Sequence, residues 1–311
     1  MPISEFGLIR RFFTQQTVKN TTTQLGVGDD CALLSIPVGY ELAVTTDTMV
    51  ENVHFFAGTN PRQLGHKLLA VNLSDLASMG AKPLSVTLAL TLPAVDETWL
   101  SEFSAGFLAL AEQYQVDLIG GDTTAGNLTL TVQALGLVPY GKALRRSSAK
   151  PGDWIYLSGP LGDAGLGLKI AQGYHCTQPE AALARFHTPV PRIETGLALL
   201  DVANACIDLS DGLASDLGHI LEQSQVGATL DWALLPLSSA VKAYIDASGD
   251  WQMPLVAGDD YELCFTVNAE HAGQVPDGCQ KIGVIDAEPG LRILRGDRLE
   301  SLEVKGYEHF R

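Results

Sequence analysis

Charge is scarce in this sequence: only 18% of its 311 residues are Asp, Glu, Lys or Arg. Basic residues are the scarcer kind, 20 against 36 acids, for a formal net charge of −16. That balance excludes a protein whose main task is to coat nucleic acid or an anionic membrane. Any anionic substrate must be met through a cation or a local basic patch. Cysteine is sparse as well. Cys31, Cys176, Cys206, Cys264 and Cys279 are scattered, odd in number and without a C-x-x-C pair, so they read as buried small hydrophobes in a reducing compartment. No apolar run approaches the roughly 20 residues that span a bilayer. Met1 to Phe13 mixes charges into its apolar residues and reads as a short amphipathic helix, not a signal peptide. These absences lead us to expect a soluble cytoplasmic protein with no nucleic-acid or membrane partner. What is plentiful is apolar material, 46% of the residues, and a length that favours two domains over one.

The pattern along the chain is mixed α/β. Glu41 to Asp47 reads as a strand, Pro61 to Met79 as a helix stopped by Gly80, and Leu84 to Leu92 as a strand between prolines. Trp99 to Tyr114 has helical spacing, Val116 to Ile119 is a short strand running into Gly120-Gly121, and Leu128 to Val138 alternates as a strand. The basic, turn-rich stretch from Pro139 to Gly152 marks the domain boundary. Beyond it, Trp154 to Leu157 reads as a strand, and a glycine-rich turn from Gly159 to Gly165 opens a helix through Ala171. Pro191 to Asn204 reads as helix, Cys206 to Leu209 as strand, and Asp211 to Ser224 as a helix with an acidic first turn. Leu255 to Val267 is a turn feeding a strand. We therefore expect residues 1–138 to form an N-terminal α/β domain with a mixed sheet, 139–152 a linker, and 153–311 a C-terminal α/β domain.

The acids are unevenly placed. Gly28-Asp29-Asp30, Thr45-Thr46-Asp47, Asn72-Leu-Ser-Asp75, Gly120-Gly121-Asp122, Asp208-Leu-Ser210-Asp211-Gly212 and Gly258-Asp259-Asp260-Tyr-Glu262 each set aspartate beside Gly, Ser or Thr at predicted element ends. Singly, each is an ordinary turn or cap. Together they suggest convergence, and two carboxylates ~4 Å apart at an effective dielectric of 20 repel by about 4 kcal/mol. Such a cluster requires protons or cations. Carboxylates, hydroxyls and carbonyls suit Mg²⁺ or Mn²⁺, and no Cys and His grouping has zinc spacing. Because Mg²⁺ is commonly shared with substrate phosphates, a phosphate-bearing substrate follows. Gly136 to Lys142 begins like a P-loop, but Ala143 replaces the needed Ser or Thr and no helix follows, so any nucleotide binds through metals.

In this order, these motifs resemble the thiamine-monophosphate kinase family. Thr45-Thr-Asp47 extends into Thr-Met-Val-Glu-Asn-Val-His54-Phe, Asp75 into Leu-Ala-Ser-Met-Gly-Ala81, and the chain closes on Gly306-Tyr307-Glu-His-Phe310. Single motifs are shared with the superfamily of aminoimidazole ribonucleotide synthetase and selenophosphate synthetase. The resemblance implies that two-domain fold, in which the first domain binds ATP and Mg²⁺ and forms a homodimer. It implies phosphorylation of thiamine monophosphate by ATP to thiamine diphosphate and ADP, the last step of thiamine diphosphate biosynthesis, by direct in-line transfer. Position by position it implies metal ligands at Asp30, Thr45, Thr46, Asp47, Asp75, Asp122, Asp208 and Asp211, with Asp47, Asp75 and Asp122 central to catalysis. For ATP it points to Gly121, Asp122, Arg146 and Ser210, and for thiamine monophosphate to His54, Asp259 and Tyr307. Asp259 stands where the family pattern has Glu, one methylene longer. Asp29, Asp260 and Glu262 read as supporting or capping groups, and His66, His175, His187, His219 and His271 as surface or core residues. A metal-dependent phosphohydrolase, a superfamily synthetase and a non-enzymatic nucleotide sensor are the competing readings.

Overall fold

The computed structural model describes residues 5–14, 16, 18–304 and 306–307, without the side chains of Glu5 and Phe6. The chain divides into two compact units, one of Met1–Leu76 with Ala81–Gly141 and one of Ala77–Gly80 with Lys142–Arg311. The first contains α1 (Glu5–Phe12), β1 (Thr23–Leu25), β2 (Leu33–Leu34), β3 (Tyr40–Val50), α2 (Pro61–Ser78, all but its last two residues), β4 (Lys82–Leu92), α3 (Glu97–Gln113), β5 (Asp117–Ala125) and β6 (Thr129–Pro139). Four strands form one sheet in the order β3-β6-β4-β5, with β4 and β5 parallel and the other pairs antiparallel.

Helix α2 covers this sheet. It is buried on every side from Lys67 to Ser78 except at Asp75, as expected of a helix with apolar residues all round. Helix α3 starts at Asp96, whose side chain accepts from the N–H groups of Thr98 and Trp99. Its Trp99, Phe103 and Phe107 stack in succession at 5.0 and 6.2 Å. The helices approach too closely for side chains at two points. A Cβ on Gly106 would lie 1.9 Å from the Arg62 carbonyl oxygen, and one on Gly65 would lie 2.2 Å from that of Phe103.

The second unit contains a 3-10 turn (Arg146–Ser148), β7 (Trp154–Leu157), α4 (Asp163–Ala171), α5 (Glu180–His187), α6 (Ile193–Ala198), β8 (Ala205–Asp208), α7 (Leu213–Ser224), β9 (Gly227–Asp231), α8 (Ser239–Ser248), α9 (Met253–Val256), β10 (Leu263–Val267), β11 (Gln280–Asp286), β12 (Gly290–Arg295) and β13 (Arg298–Ser301). Seven strands run in the order β13-β12-β9-β11-β7-β10-β8. Their core is an aliphatic layer that includes Ile155, Leu157, Ile207, Leu217, Ile220, Leu230 and Ile293.

Several sequence expectations need correction. The strand expected at Val116 to Ile119 continues through the glycines to Ala125, because its parallel pairing with β4 continues from Gly121↔Leu88 to Ala125↔Leu92. The helix expected from Pro191 to Asn204 is only Ile193–Ala198, and Asp201 beyond it is left-handed at φ +65°. Thr45 to Asp47 lie within a strand and Asn72 to Asp75 within a helix, not at element ends. Cys206 and Cys264 are buried as expected, but Cys31 is exposed and Cys176 and Cys279 are half-buried. The P-loop-like stretch is the end of β6, with Gly136 inside the strand. Among the described residues no helix is long and apolar enough to cross a membrane.

The α2–α3 crossing is open to a direct test. We expect Gly106→Ala to destabilise the protein by about 1–3 kcal/mol, read from the urea midpoint, because the added methyl must push two backbones apart.

Candidate active site

The first unit gathers the acid motifs in two places. On β3, Thr45 and Asp47 lie on one face, half-buried, and the alternation of the strand puts the Thr46 side chain on the exposed opposite face. Asn72 and Asp75, three residues apart on α2, meet that inner face. The Thr45 hydroxyl donates to Asp75 Oδ2. The Asp47 N–H donates to Asn72 Oδ1 at 3.1 Å, and fully buried Asn72 donates to the Leu68 carbonyl at 2.9 Å. Burial, and then the neighbouring charge of Asp75, push the Asp47 carboxyl up to about 7. The pair could exchange that proton for a cation, and the Thr45 hydroxyl and the Asn72 amide oxygen lie beside it. Thr46 is set apart, reached by the Gln133 side chain at 3.5 Å.

The second place is a cavity of about 630 Å³ whose walls include Asp29, Asp30, Gly121 and Asp122 together with apolar Phe13, Leu88 and Leu118. Asp117, fully buried at the start of β5, helps to position it. Its carboxylate accepts from the N–H groups of Lys19 at 2.7 Å and Asn20 at 3.0 Å and from the Thr23 hydroxyl at 2.9 Å, tying the N-terminal segment to the sheet. Gly121 has φ +152°, and a Cβ there would lie 1.8 Å from the Leu88 carbonyl oxygen, so only glycine fits. Asp122 and Asp30 are exposed.

β3 and β5 are opposite edges of the four-stranded sheet. At ~4.8 Å per strand, Asp47 and Asp122 stand about 14 Å apart within this unit. Within this unit, then, Asp47 and Asp122 do not share one carboxylate cluster. Among the described residues no group of three or more His, Cys, Asp or Glu side chains forms a metal cage. The arrangement still fits Mg²⁺, which is commonly held by one or two carboxylates and completed by water and substrate phosphates.

His54 sits in the turn after β3. Its Nδ1 accepts from the Val50 N–H at 3.0 Å while its own backbone N–H returns to the Val50 carbonyl at 2.9 Å. Nδ1 is thereby used locally, and a neutral ring carries its proton on Nε2.

In the second unit Asp208 is buried at the end of β8, and Ser210 and Asp211 follow in the connection to α7. That connection is fixed by Asp216, whose Oδ2 accepts from the N–H groups of Asp211 at 3.0 Å and Gly212 at 3.1 Å. Burial pushes Asp216 up to about 7, opposed by those hydrogen bonds and by the charge of exposed Arg146. Asp259 donates its N–H to the Ser210 carbonyl at 2.9 Å. Gly306 packs against the Asp211 carbonyl and Ser215, leaving Tyr307 next to this loop and 49% exposed. Glu308 to Phe310 of the closing motif lie outside the described residues. The unit thus brings together Asp208, Ser210, Asp211 and Asp259, with Arg146 and Tyr307 beside them.

Some supporting residues have weak sequence signals. Asn72 belongs to an acid motif but carries no charge to suggest a role, and Asp216 is marked only by its place in the first turn of α7. Asp260 and Glu262, read as supporting groups, are buried anchors. The Asp260 carboxylate accepts from the N–H groups of Gly162 and Ala164, and Glu262 pairs with Arg185 and Arg192.

Fold and site together define a class. Residues 28–138 match the AIR synthase related protein N-terminal domain family and residues 150–291 the corresponding C-terminal domain family. The chain belongs to the AIR synthase-related proteins. Within that class it is 47% identical over 324 aligned residues to the thiamine-monophosphate kinase of Escherichia coli K12, covering 100% of this chain and 99% of the relative. It is 34% identical to that of Bacillus subtilis, covering 99% and 100%. The crystal structure of thiamine-monophosphate kinase from Stenotrophomonas maltophilia superposes with a TM-score of 0.85 at 42% identity, covering 94% of this chain and 96% of that one. AaThiL complexed with AMPPCP and TMP gives 0.81 at 28% identity, covering 99% and 97%. The chain is a member of the thiamine-monophosphate kinase family.

The pH dependence of the metal-free protein follows from the raised carboxyls. Asp47, Asp216 and Asp260 each sit near 7 in the folded state against an ordinary value of 3.8. Their contribution to stability is fully present below the unfolded value and is lost as pH rises through about 7. Urea unfolding in EDTA should therefore show stability falling between pH 5 and pH 8, with each group contributing on the order of a few kcal/mol. Asp47→Asn should flatten that slope, and an unchanged slope would contradict the assignment.

Proposed function

We propose that this protein transfers the γ-phosphoryl group of ATP to the phosphate of thiamine monophosphate, forming thiamine diphosphate and ADP by direct in-line transfer. The observation that carries the reading is the 47% identity over the whole chain to a thiamine-monophosphate kinase. The acceptor is itself an anionic phosphate and needs no strong general base. The reaction needs two polyanions brought together and their charge offset. Magnesium ions, with Mn²⁺ as a substitute, would supply that neutralisation and orient the phosphates when bound.

The metal ligands we propose are Asp30, Thr45, Asp47, Asp75, Asp122, Asp208 and Asp211, with Thr46 acting through its backbone. The Thr45 hydroxyl and the Asn72 amide hold Asp75 and the Asp47 backbone in register. Gly121, Asp122, Arg146 and Ser210 serve the nucleotide, Arg146 as a guanidinium for phosphate. Asp259, Tyr307 and His54 serve thiamine monophosphate, whose cationic thiazolium suits a carboxylate and an aromatic face. Residues 1–138 act as the ATP, metal and pairing domain, 139–152 as a linker and 153–311 as the second domain, in a cytoplasmic homodimer. The pairing surface is the outer face of β3, where Tyr40, Leu42 and Val44 are exposed beside half-buried Leu135 and Leu137 on β6.

The direct test is product analysis with ATP and Mg²⁺, with and without thiamine monophosphate. Thiamine diphosphate and ADP should form together, and EDTA should abolish both. ADP released equally fast without the thiamine ester would favour a phosphohydrolase. Asp75→Asn should lower kcat by roughly 100-fold or more.

A further inference from the structure

The segment from Gly258 to Glu262 holds two side-chain-bearing residues in the left-handed region, Asp259 at φ +70° and Tyr261 at φ +48°. Such conformations persist only where the surroundings over-determine them. Here the surroundings include a buried ionic cluster. Glu262, fully buried, receives Arg192 Nε at 2.7 Å, Arg192 Nη2 at 2.5 Å, Ser158 Oγ at 2.5 Å and the Arg185 guanidinium. Arg185 also donates to the Asp260 carbonyl at 3.0 Å. The turn is further pinned by the N–H of Tyr261 to the Leu209 carbonyl at 2.8 Å and by the Tyr261 hydroxyl to Asp259 Oδ1 at 3.1 Å.

A buried ion cluster is weak evidence for stability, because apolar packing of the same volume often does as well. Its value lies in what it specifies. Both arginines, from α5 and from the start of α6, converge on the residue that closes the turn bearing Asp259. The loop of Ser210 and Asp211 has its own anchor in Asp216.

We propose that the Glu262–Arg185–Arg192 cluster is a positioning device that locks the left-handed turn at Asp259 to Tyr261, setting affinity for thiamine monophosphate and leaving the rate of phosphoryl transfer unchanged. The proposal rests on the functional reading in which Asp259 meets the substrate cation, remote from the transferring phosphoryl group. Loss of such a contact raises KM and leaves kcat alone.

The test is steady-state kinetics on the full-length protein with ATP, Mg²⁺ and thiamine monophosphate. Arg192→Lys keeps the charge but loses the planar fork, and should raise KM for thiamine monophosphate about fivefold or more while kcat and KM for ATP stay within about twofold. Glu262→Gln should show the same split more strongly, and if it fails to fold, the conservative Arg192→Lys decides alone. Asp259→Ala combined with Arg192→Lys should be no worse than Asp259→Ala, since both act through one contact. Full additivity, equal losses for both substrates, or a fall in kcat alone would overturn the proposal. A wild-type protein that forms no thiamine diphosphate would overturn the functional reading itself, and this proposal with it.

Discussion

Two half-buried carboxylates that repel each other constrain this protein more than any other feature. Asp47 on β3 and Asp75 on α2 share the inner face of the first unit's sheet, and burial with mutual repulsion holds Asp47 near 7. The surroundings keep the pair in place. Thr45 donates to Asp75, buried Asn72 takes the Asp47 N–H, and α2 is packed on every side around its one half-exposed acid. A rigid frame built around an unfavourable pair is costly to hold, and under the proposed function a divalent cation would offset that repulsion.

The acid excess therefore has two uses. Some acids serve the fold as hydrogen-bond acceptors. Asp117 ties down the N-terminal segment, and Asp153 accepts from the Lys150 N–H, Asn204 and Thr266. Asp216 and Asp260 each collect two backbone N–H groups. Others, such as Asp30, Asp122 and Asp211, sit where a ligand could be met. The backbone N–H groups collected by Asp117, Asp216 and Asp260 mark the first use, which composition alone could not.

Much of the architecture was legible in the sequence. Alternation marked β6, flanking prolines marked β4, helical spacing marked α3, and the Gly80 stop marked the end of α2. Glycine misled. Gly120-Gly121 read as the end of a strand, whereas the strand runs on and uses glycine to let Leu88 approach. Aspartate misled in the same way, since the turn-like residues of Thr45 to Asp47 and Asn72 to Asp75 lie inside regular elements. The site residues themselves came from the resemblance. Supporting geometry such as the Arg185 and Arg192 grip on Glu262 depends on partners 70 or more residues distant along the chain, which no local pattern encodes.

Thermal unfolding at pH 8, with and without Mg²⁺ and a nonhydrolysable ATP analogue, tests most directly whether the Asp47 and Asp75 pair is a strained site completed by a cation. If it is, Asp47→Asn melts higher than the wild type when metal-free, yet gains much less on adding Mg²⁺ and nucleotide. A variant that melts lower when metal-free and gains as much as the wild type would contradict it.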